Sequence, residues 1–460
     1  MDKMNQPIKS CFWGMIGLLQ VISLGAQEPY SRKHHVSVGG MVEGAYLLSS
    51  DEYDKEFIRS HGARYYGLNV RLQSTRQGGD AYDDAFRFPS IEVGVLWGDF
   101  HRIRLAREGE SSSVSSGLGH MLALYGAFRR DVVSAGPFHL NYLFENGVGW
   151  STRPYDGHRN PNNELIGSRL SVYFGMGVGG RFRLSSQWEA GLDLRFRHFS
   201  NGALNRPNKG VNTVGASVGL RYYLSPLREE SVSLPSFPSD FHRHFYWDMS
   251  VGWIAKTLIE DWLHSIHASP EDSRYRTNDF HLYSGLGIST AAMFRYSLRF
   301  ASGLGIDYAY LPYVDEVARY DRETQAGELS YSRHSLGLSL RHEVFYKQFS
   351  LYFSLGYYLH RHTGHLSREF EKPYYETLGL RYTFPFLKNV YVGYHVKAHL
   401  FRADHIEFNV GWRIPCKHSV NHVFLSPTSI INFTSKKQSY DDTRRSSRDN
   451  ELLQRAQSDL

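Results

Sequence analysis

The chain has 460 residues, 31 of them Tyr, 28 Phe and 42 Gly, with a formal net charge of +6 and a mean hydropathy of −0.42. This mixture of many aromatic residues with low mean hydropathy favours amphipathic strands over a continuous apolar core. The mild net charge argues against a dedicated nucleic-acid-binding protein, and no basic stripe with interleaved aromatic residues points to one.

The N-terminal segment has the layout of a secretory signal. Lys3 and Lys9 precede an apolar run from Cys11 to Gly25, and small residues follow. We predict a signal peptide over residues 1–26. Beyond it no apolar run approaches the roughly 20 residues that a spanning helix needs, so any membrane span must be a strand. Cys416 is then alone in the mature chain, which excludes an intrachain disulfide.

Segments of about ten residues with period-two alternation follow one another from His35, and this pattern is typical of membrane β-barrels. The first half predicts eight strands, near 35–48, 63–73, 88–99, 118–130, 137–149, 166–184, 187–200 and 211–224. Long and short connections alternate, and we expect the long ones to face the cell exterior. The connection 74–87 is too long for this rule and marks a misread strand or an insertion.

Residues 225–242 are rich in Pro and Ser without alternation and are interpreted as a linker. The second half predicts eight more strands, near 243–256, 279–292, 294–308, 331–346, 348–360, 374–385, 388–401 and 404–414. We therefore favour an all-β fold of two eight-stranded transmembrane antiparallel barrels, 27–224 and 243–415, over one barrel of about sixteen strands. Residues 416–460 lack strand periodicity and are expected to form a mobile tail.

Three polar side chains share the outward, apolar face near the end of two paired strands. His198 and Ser200 have the parity of Leu192 and Leu194, and Asn212 has the parity of the apolar residues that follow it on the next strand. Polar groups that face hydrocarbon are costly unless they are paired, so their placement calls for a function. A serine becomes a nucleophile when an imidazole takes its proton and a third group orients that imidazole. Oxyanion donors are available nearby in Asn201, Asn208 and the backbone around Gly202.

The stretch "HFSNGALNRPNKG" resembles the active-site signature of the lipid A deacylases of the PagL type, also described as acyloxyacyl hydrolases. The resemblance covers mainly residues 35–224. It implies an eight-stranded outer-membrane barrel that removes an ester-linked acyl chain from lipid A. The residue roles that it implies are His198 as base, Ser200 as nucleophile, and Asn201 and Asn208 as oxyanion contributors. The acidic member of the family's triad falls on Asn212, whose carbonyl can orient a histidine without stabilising an imidazolium by charge.

Other candidate sites in the chain have simpler interpretations. In the second half, His399 is followed at the i+2 position by Phe401 and has inward parity, so we interpret this half as non-catalytic. The histidines at 34–35 and 360–365 lack the ligand spacing of a zinc site. The loop acids Asp80, Asp83 and Asp84 could bind calcium, but a solvated loop is the preferred interpretation. Arg206 and Lys209 could contact the phosphates of lipid A. No metal or cofactor is needed for the reaction.

The sequence therefore predicts a serine esterase of lipid A in the outer membrane of a Gram-negative bacterium. Its expected partners are lipopolysaccharide, other outer-membrane lipids and, in a homodimer, a second copy of the chain. The alternatives are a non-enzymatic barrel that acts as a channel, adhesin or scaffold, and an outer-membrane phospholipase.

Overall fold

The computed structural model describes residues 34–419 apart from 77, 108–114, 228–236, 238, 325 and 327–328. The predicted signal peptide and the tail beyond Ser419 lie outside this part of the chain, and so does most of the predicted linker. Among the helices of the described residues, none is long and apolar enough to cross a membrane.

The first half forms a closed barrel of eight antiparallel strands, in the spatial order β1-β10-β9-β8-β7-β6-β3-β2. Its strands are β1 His34–Leu47, β2 Gly62–Ser74, β3 Ser90–Asp99, β6 His120–Ala135, β7 Phe138–Ser151, β8 Leu170–Arg183, β9 Trp188–Ser200 and β10 Val211–Tyr223. The short strands β4 Arg104–Leu105 and β5 Ser116–Gly117 pair only with each other, in a separate two-stranded sheet.

The second half forms another closed barrel of eight strands, β11 to β18 in chain order. They are β11 His244–Lys256, β12 Tyr283–Arg295, β13 Phe300–Tyr310, β14 His334–Tyr346, β15 Phe349–His360, β16 Tyr374–Thr383, β17 Val390–His399 and β18 Arg402–Ser419. The prediction of two barrels is confirmed, and the alternative of one barrel of about sixteen strands is wrong. Both barrels lie within one compact unit that extends to Pro415.

The period-two alternation separates a lipid-facing surface from a charged lumen. On β9, Leu192 and Leu194 are 57% and 58% exposed. Asp193, which lies between them, and Arg195, which follows Leu194, are buried. Arg197 is fully buried in the lumen, where its guanidinium contacts Glu43 Oε2 at 2.9 Å and a second carboxylate from β7. Buried charges are tolerated when they are paired in this way. The lumen is thus filled by ion-paired side chains.

The glycines that face the lumen make room for these large side chains. A Cβ added to Gly179 on β8 would lie 1.8 Å from Asp193 Oδ1. The stretch "GMGVGG" therefore serves packing inside the barrel, as its position in a strand indicates.

Within each barrel the long connections lie at one end, with one exception. The connection between β2 and β3 lies at the opposite end and contains the helix α2, Ala81–Ala85, so this segment is an insertion. Its Asp83 accepts hydrogen bonds from Tyr346 and Lys347 in the β14–β15 hairpin, at 2.7 and 2.9 Å. At the end that bears the long connections, one connection is short, the two-residue turn between β17 and β18.

Several elements differ from the sequence prediction. The strand predicted from residue 166 begins at Leu170, and β18 extends beyond residue 414 into the segment assigned to the tail. The described loops also contain helices that are not predicted from the sequence. They are α1 Glu52–Lys55, α2, α3 Ile259–His267, α4 Val314–Glu323 and α5 His365–Phe370.

Candidate active site

His198 and Asn212 are directly opposite each other on β9 and β10, near the end of the barrel that bears the long loops. The Nδ1 atom of His198 lies 2.6 Å from Asn212 Oδ1. Because an amide oxygen can only accept, His198 carries its proton on Nδ1 in this contact and leaves Nε2 with a free lone pair. The amide nitrogen of Asn212 donates to Ser50 Oγ at 3.0 Å, which fixes the carbonyl toward the imidazole. Sequence reasoning missed Ser50, because it comes from the distant β1–β2 loop.

Ser200 is on the same outward face as His198, two residues along β9. It is 6% exposed even though its parity directs it away from the lumen. Within the described residues its hydroxyl has no hydrogen-bond partner. The structure thus brings His198, Ser200 and Asn212 to one end of one face, with the imidazole oriented by the amide. Catalytic hydrogen bonds to a nucleophile are often formed only when substrate is bound.

The loop 201–210, called here the active-site loop, is held by its own asparagines. Asn208 Oδ1 accepts a hydrogen bond from the backbone N–H of Asn201 at 2.9 Å. The Nδ2 atom of Asn208 is buried and, in the described part of the chain, has no acceptor. Gly202 adopts a φ of +62° at the start of the turn. The side-chain NH2 group of Asn208 is therefore a buried donor that no acceptor among the described residues uses.

Gly210 closes the active-site loop directly against the imidazole. Its φ is +83°, and an added Cβ would lie 2.8 Å from His198 Cε1. Only glycine combines this left-handed conformation with so close an approach. The backbone of the loop thus limits the positions that the His198 ring can adopt.

The two cations of the active-site loop are paired within the protein. Arg206 is buried, and its Nε and Nη2 atoms donate to the carbonyl of Thr257 in the second barrel at 3.1 and 2.8 Å. Burial lowers the pKa of Arg206, and nearby carboxylates such as Glu260 oppose this shift. Lys209 Nζ lies 3.1 Å from Asp51 and 2.8 Å from Asp54. A contact of either side chain with lipid A phosphate stays a prediction.

The corresponding end of the second barrel holds a cluster of ion pairs. Glu371, His399 and Asp404 offer ligand atoms that lie within 4.8 Å of one another. However, Lys256 Nζ lies 2.5 Å from Asp404 Oδ1, and Arg361 Nη2 lies 2.8 Å from Glu371 Oε2. These cations already neutralise the carboxylates and would repel a metal ion, so we interpret the cluster as structural. His399 is buried here, which agrees with its inward parity.

The loop acids also have protein partners. Asp83 accepts from Lys347 as described above, and Asp80 caps α2 with its side chain. The histidine segment 360–365 makes hydrogen bonds to serines, from His360 to Ser332 and between His362 and Ser330. Asp80, Asp83, His360 and His362 therefore have hydrogen-bond partners within the protein.

Two protein families match different parts of the chain and together cover most of its described residues. Residues 67–221 match the family described as lipid A 3-O-deacylase (PagL). Residues 245–417 match the family described as acyloxyacyl hydrolase, C-terminal domain. The predicted resemblance to the lipid A deacylases is confirmed. These matches support a hydrolase that acts on lipid A, and the protein is an outer-membrane β-barrel protein. No curated protein sequence matches the chain.

Several solved structures are similar in part. The crystal structure of the outer membrane enzyme PagL has 15% sequence identity and a TM-score of 0.24, covering 40% of this chain and 97% of that one. A de novo designed transmembrane β-barrel has 11% identity and a TM-score of 0.19, covering 41% and 95%. The beta domain of the Bordetella autotransporter Brka has 9% identity and a TM-score of 0.19, covering 83% and 99%.

Proposed function

We propose that the first barrel is a serine esterase that removes an ester-linked acyl chain from lipid A, with Ser200 as nucleophile and His198 as general base. The observation that carries this proposal is the contact between His198 Nδ1 and Asn212 Oδ1 on the face that bears Ser200. This contact leaves Nε2 of His198 as the proton acceptor. The match of residues 67–221 to the lipid A 3-O-deacylase family supports the choice of substrate.

In the first half of the reaction, Ser200 Oγ attacks the carbonyl carbon of the acyl ester while His198 Nε2 takes the hydroxyl proton. The tetrahedral intermediate then collapses, and the bond between the carbonyl carbon and the sugar oxygen is cleaved. His198 returns its proton to that oxygen, so the sugar leaves as an alcohol and the acyl chain stays on Ser200. Water attacks the acyl-enzyme in the second half, with His198 again as base, and a fatty acid leaves.

The negative charge on the intermediate needs hydrogen-bond donors that are already in place. The Nδ2 atom of Asn208 is such a donor, since it is buried and lacks an acceptor among the described residues. The N–H of Asn201 is bound to Asn208 Oδ1 and holds that amide in place. We therefore assign Asn208 as the donating residue and Asn201 as the residue that positions it, with Gly202 supplying the sharp turn between them.

Asn212 acts as an orienting group in this mechanism. It holds the tautomer of His198 but carries no charge to stabilise the imidazolium that forms in each half-reaction. We expect a slower enzyme than one with a carboxylate at this position.

The filled lumens disfavour the alternative of a channel. Arg197 and Glu43 in the first barrel, and Arg381 and Asp248 in the second, are paired and almost fully buried at the barrel interior. A phospholipase would use the same chemistry and differs only in headgroup contacts.

The decisive experiment is mass spectrometry of lipid A from cells that express the wild type, Ser200→Ala or His198→Ala at equal outer-membrane levels. Loss of one acyl mass in the wild type alone is the expected result. Identical spectra from all three strains, with folded barrels and intact ester chains in the lipid A, would refute the deacylase. Release of fatty acid from phospholipid in the same cells would favour the phospholipase instead.

A further inference from the structure

We propose that the second barrel forms the outer wall of the groove that takes the acyl chain, and that Val396 on β17 is a specificity-determining residue in that wall. This inference rests on the proposed function of the first barrel, since it concerns the substrate of the same site. Four observations lead to it.

The first observation is that the active-site loop is fastened to the second barrel. The backbone N–H and the Oγ1 hydroxyl of Thr257 donate to the carbonyl of Ala203 at 2.7 and 2.9 Å. Arg206 returns two hydrogen bonds to the carbonyl of Thr257. Both Thr257 and Ala203 are fully buried. Beside this contact, Ile406 of β18 lies over Gly202, where an added Cβ would be 3.4 Å away.

The second observation is a contact lower on the face that bears the catalytic residues. The Tyr394 hydroxyl of β17 donates to Asn146 Oδ1 of β7 at 2.7 Å. Asn146 is opposite Phe174 on β8, and Phe174 is opposite His198 on β9. These three residues form one rung across neighbouring strands, so the Tyr394 contact lies about 10 Å, or two strand spacings, from the catalytic histidine.

The third observation is that the catalytic face lies between these two contacts. Ser200 lies between the loop at Gly202 and this rung, and Phe174 lies on the rung itself, between His198 and Asn146. Both are shielded from the surroundings, because Ser200 is buried and Phe174 is partly buried. Outward residues of β9 that lie farther down the strand, such as Leu194, are more than half exposed.

The fourth observation is the register of the second barrel. Val396 is opposite Ile406 and two residues from Tyr394, so all three share the outward face of β17 and β18. Ile406 and Tyr394 are the two residues that make the contacts described above. Val396 between them must therefore face the region of the first barrel that holds Ser200 and Phe174.

An acyl ester whose carbonyl carbon is at Ser200 Oγ has to begin its hydrocarbon chain in this space. A groove with one wall would leave the acyl chain in contact with membrane lipid. Such a groove would accept acyl chains of many lengths. A cleft with a second wall removes the apolar surface of the acyl chain from contact with membrane lipid. It also limits the volume that the acyl chain can fill. Because it lies in this second wall, the side chain at position 396 sets which acyl chains fit. It has no function in the chemical steps.

The test compares full-length wild type with Val396→Phe and Val396→Ala, using lipid A preparations that differ in the length of their ester-linked acyl chains. We expect Val396→Phe to lower the ratio of kcat/KM for long over short chains by about tenfold and Val396→Ala to raise it. The matched control is Val410→Phe on β18, whose side chain is outward and 57% exposed, and which we expect to keep the wild-type ratio.

An unchanged ratio in both Val396 variants would overturn the proposal, and so would an equal change in Val410→Phe. If Val396→Phe fails to fold, as judged by heat-modifiable migration on gels, Val396→Ala alone decides by the same criterion. Failure of the proposed function looks different, because then the wild type releases no acyl chain, or Ser200→Ala releases as much as the wild type.

Discussion

The imidazole of His198 is held by the amide of Asn212, with 2.6 Å between Nδ1 and Oδ1. The resemblance to the lipid A deacylases implies an acid at the position of Asn212. A carboxylate at this position would keep the hydrogen bond and add a charge to stabilise the imidazolium. We expect Asn212→Asp to raise kcat about tenfold with little change in KM, as measured by acyl release from lipid A in detergent micelles.

Asn212→Leu is the companion variant and should lower kcat, because it removes the acceptor that fixes the tautomer. A rate in Asn212→Asp that equals or falls below that of the wild type would show that the missing charge does not limit the enzyme.

Gly210 lies close to the imidazole of His198, the proposed general base. Gly210→Ala places a Cβ 2.8 Å from His198 Cε1, and we expect kcat to fall about 100-fold as the imidazole is displaced. The matched control is Gly136→Ala in the β6–β7 turn, which has a similar φ of +56° but no atom within 4 Å of the added Cβ. Both variants bear the strain of a left-handed residue, so both should lose some thermal stability. Equal activity in the two variants would contradict the proposed role of Gly210.

Thr257 links the second barrel to the active-site loop of the first. Thr257→Val removes the Oγ1 hydrogen bond to the carbonyl of Ala203 and retains the one from the backbone N–H. A buried hydrogen bond contributes about 1 kcal/mol, so we expect kcat to decrease about fivefold while KM is maintained. Thr257→Ser keeps the hydroxyl and should restore the rate. A loss of activity in Thr257→Ser as large as that in Thr257→Val would indicate a packing effect instead.

Glu260 makes the stability of the protein depend on pH. It lies in the first turn of α3, and burial raises the pKa of its carboxyl from 4.5 to about 7 despite the nearby cations Lys256 and Arg206. The folded state therefore keeps a proton that the unfolded chain loses near pH 4.5. Stability falls as the pH rises from about 4.5 to about 7, and the full penalty remains above that range.

Replacing the carboxyl by an amide removes this penalty. We expect Glu260→Gln to raise the free energy of unfolding by up to about 3 kcal/mol near pH 8 and to have little effect near pH 4. Heat-modifiable migration against temperature at the two pH values measures it. A gain in stability that is equal at both values would contradict the assignment.

Much of the fold is determined by local pattern. Alternation of apolar and polar residues in segments such as 187–200 is a property of single strands, and it predicted all sixteen barrel strands and, on β9 and β10, which side chains face the lumen. The outward parity of His198, Ser200 and Asn212 follows from the same rule. Alternation does not fix where a strand begins, and the strand predicted from residue 166 begins at Leu170. Helices α1, α2 and α5 have four, five and six residues, too few to show a helical period.

The tertiary structure alone decided how the two barrels are joined and what surrounds the site. Thr257 and Ile406 reach the active-site loop from more than 50 and 200 residues away along the chain, and Ser50 reaches Asn212 from 162 residues away. No periodicity in the sequence encodes such contacts, because they depend on which outward faces meet once each barrel has closed. The sequence by itself determined two barrels and the outward face that bears His198, Ser200 and Asn212. Contacts between the barrels decided what lies beside that face, because Thr257 and Ile406 lie against the active-site loop.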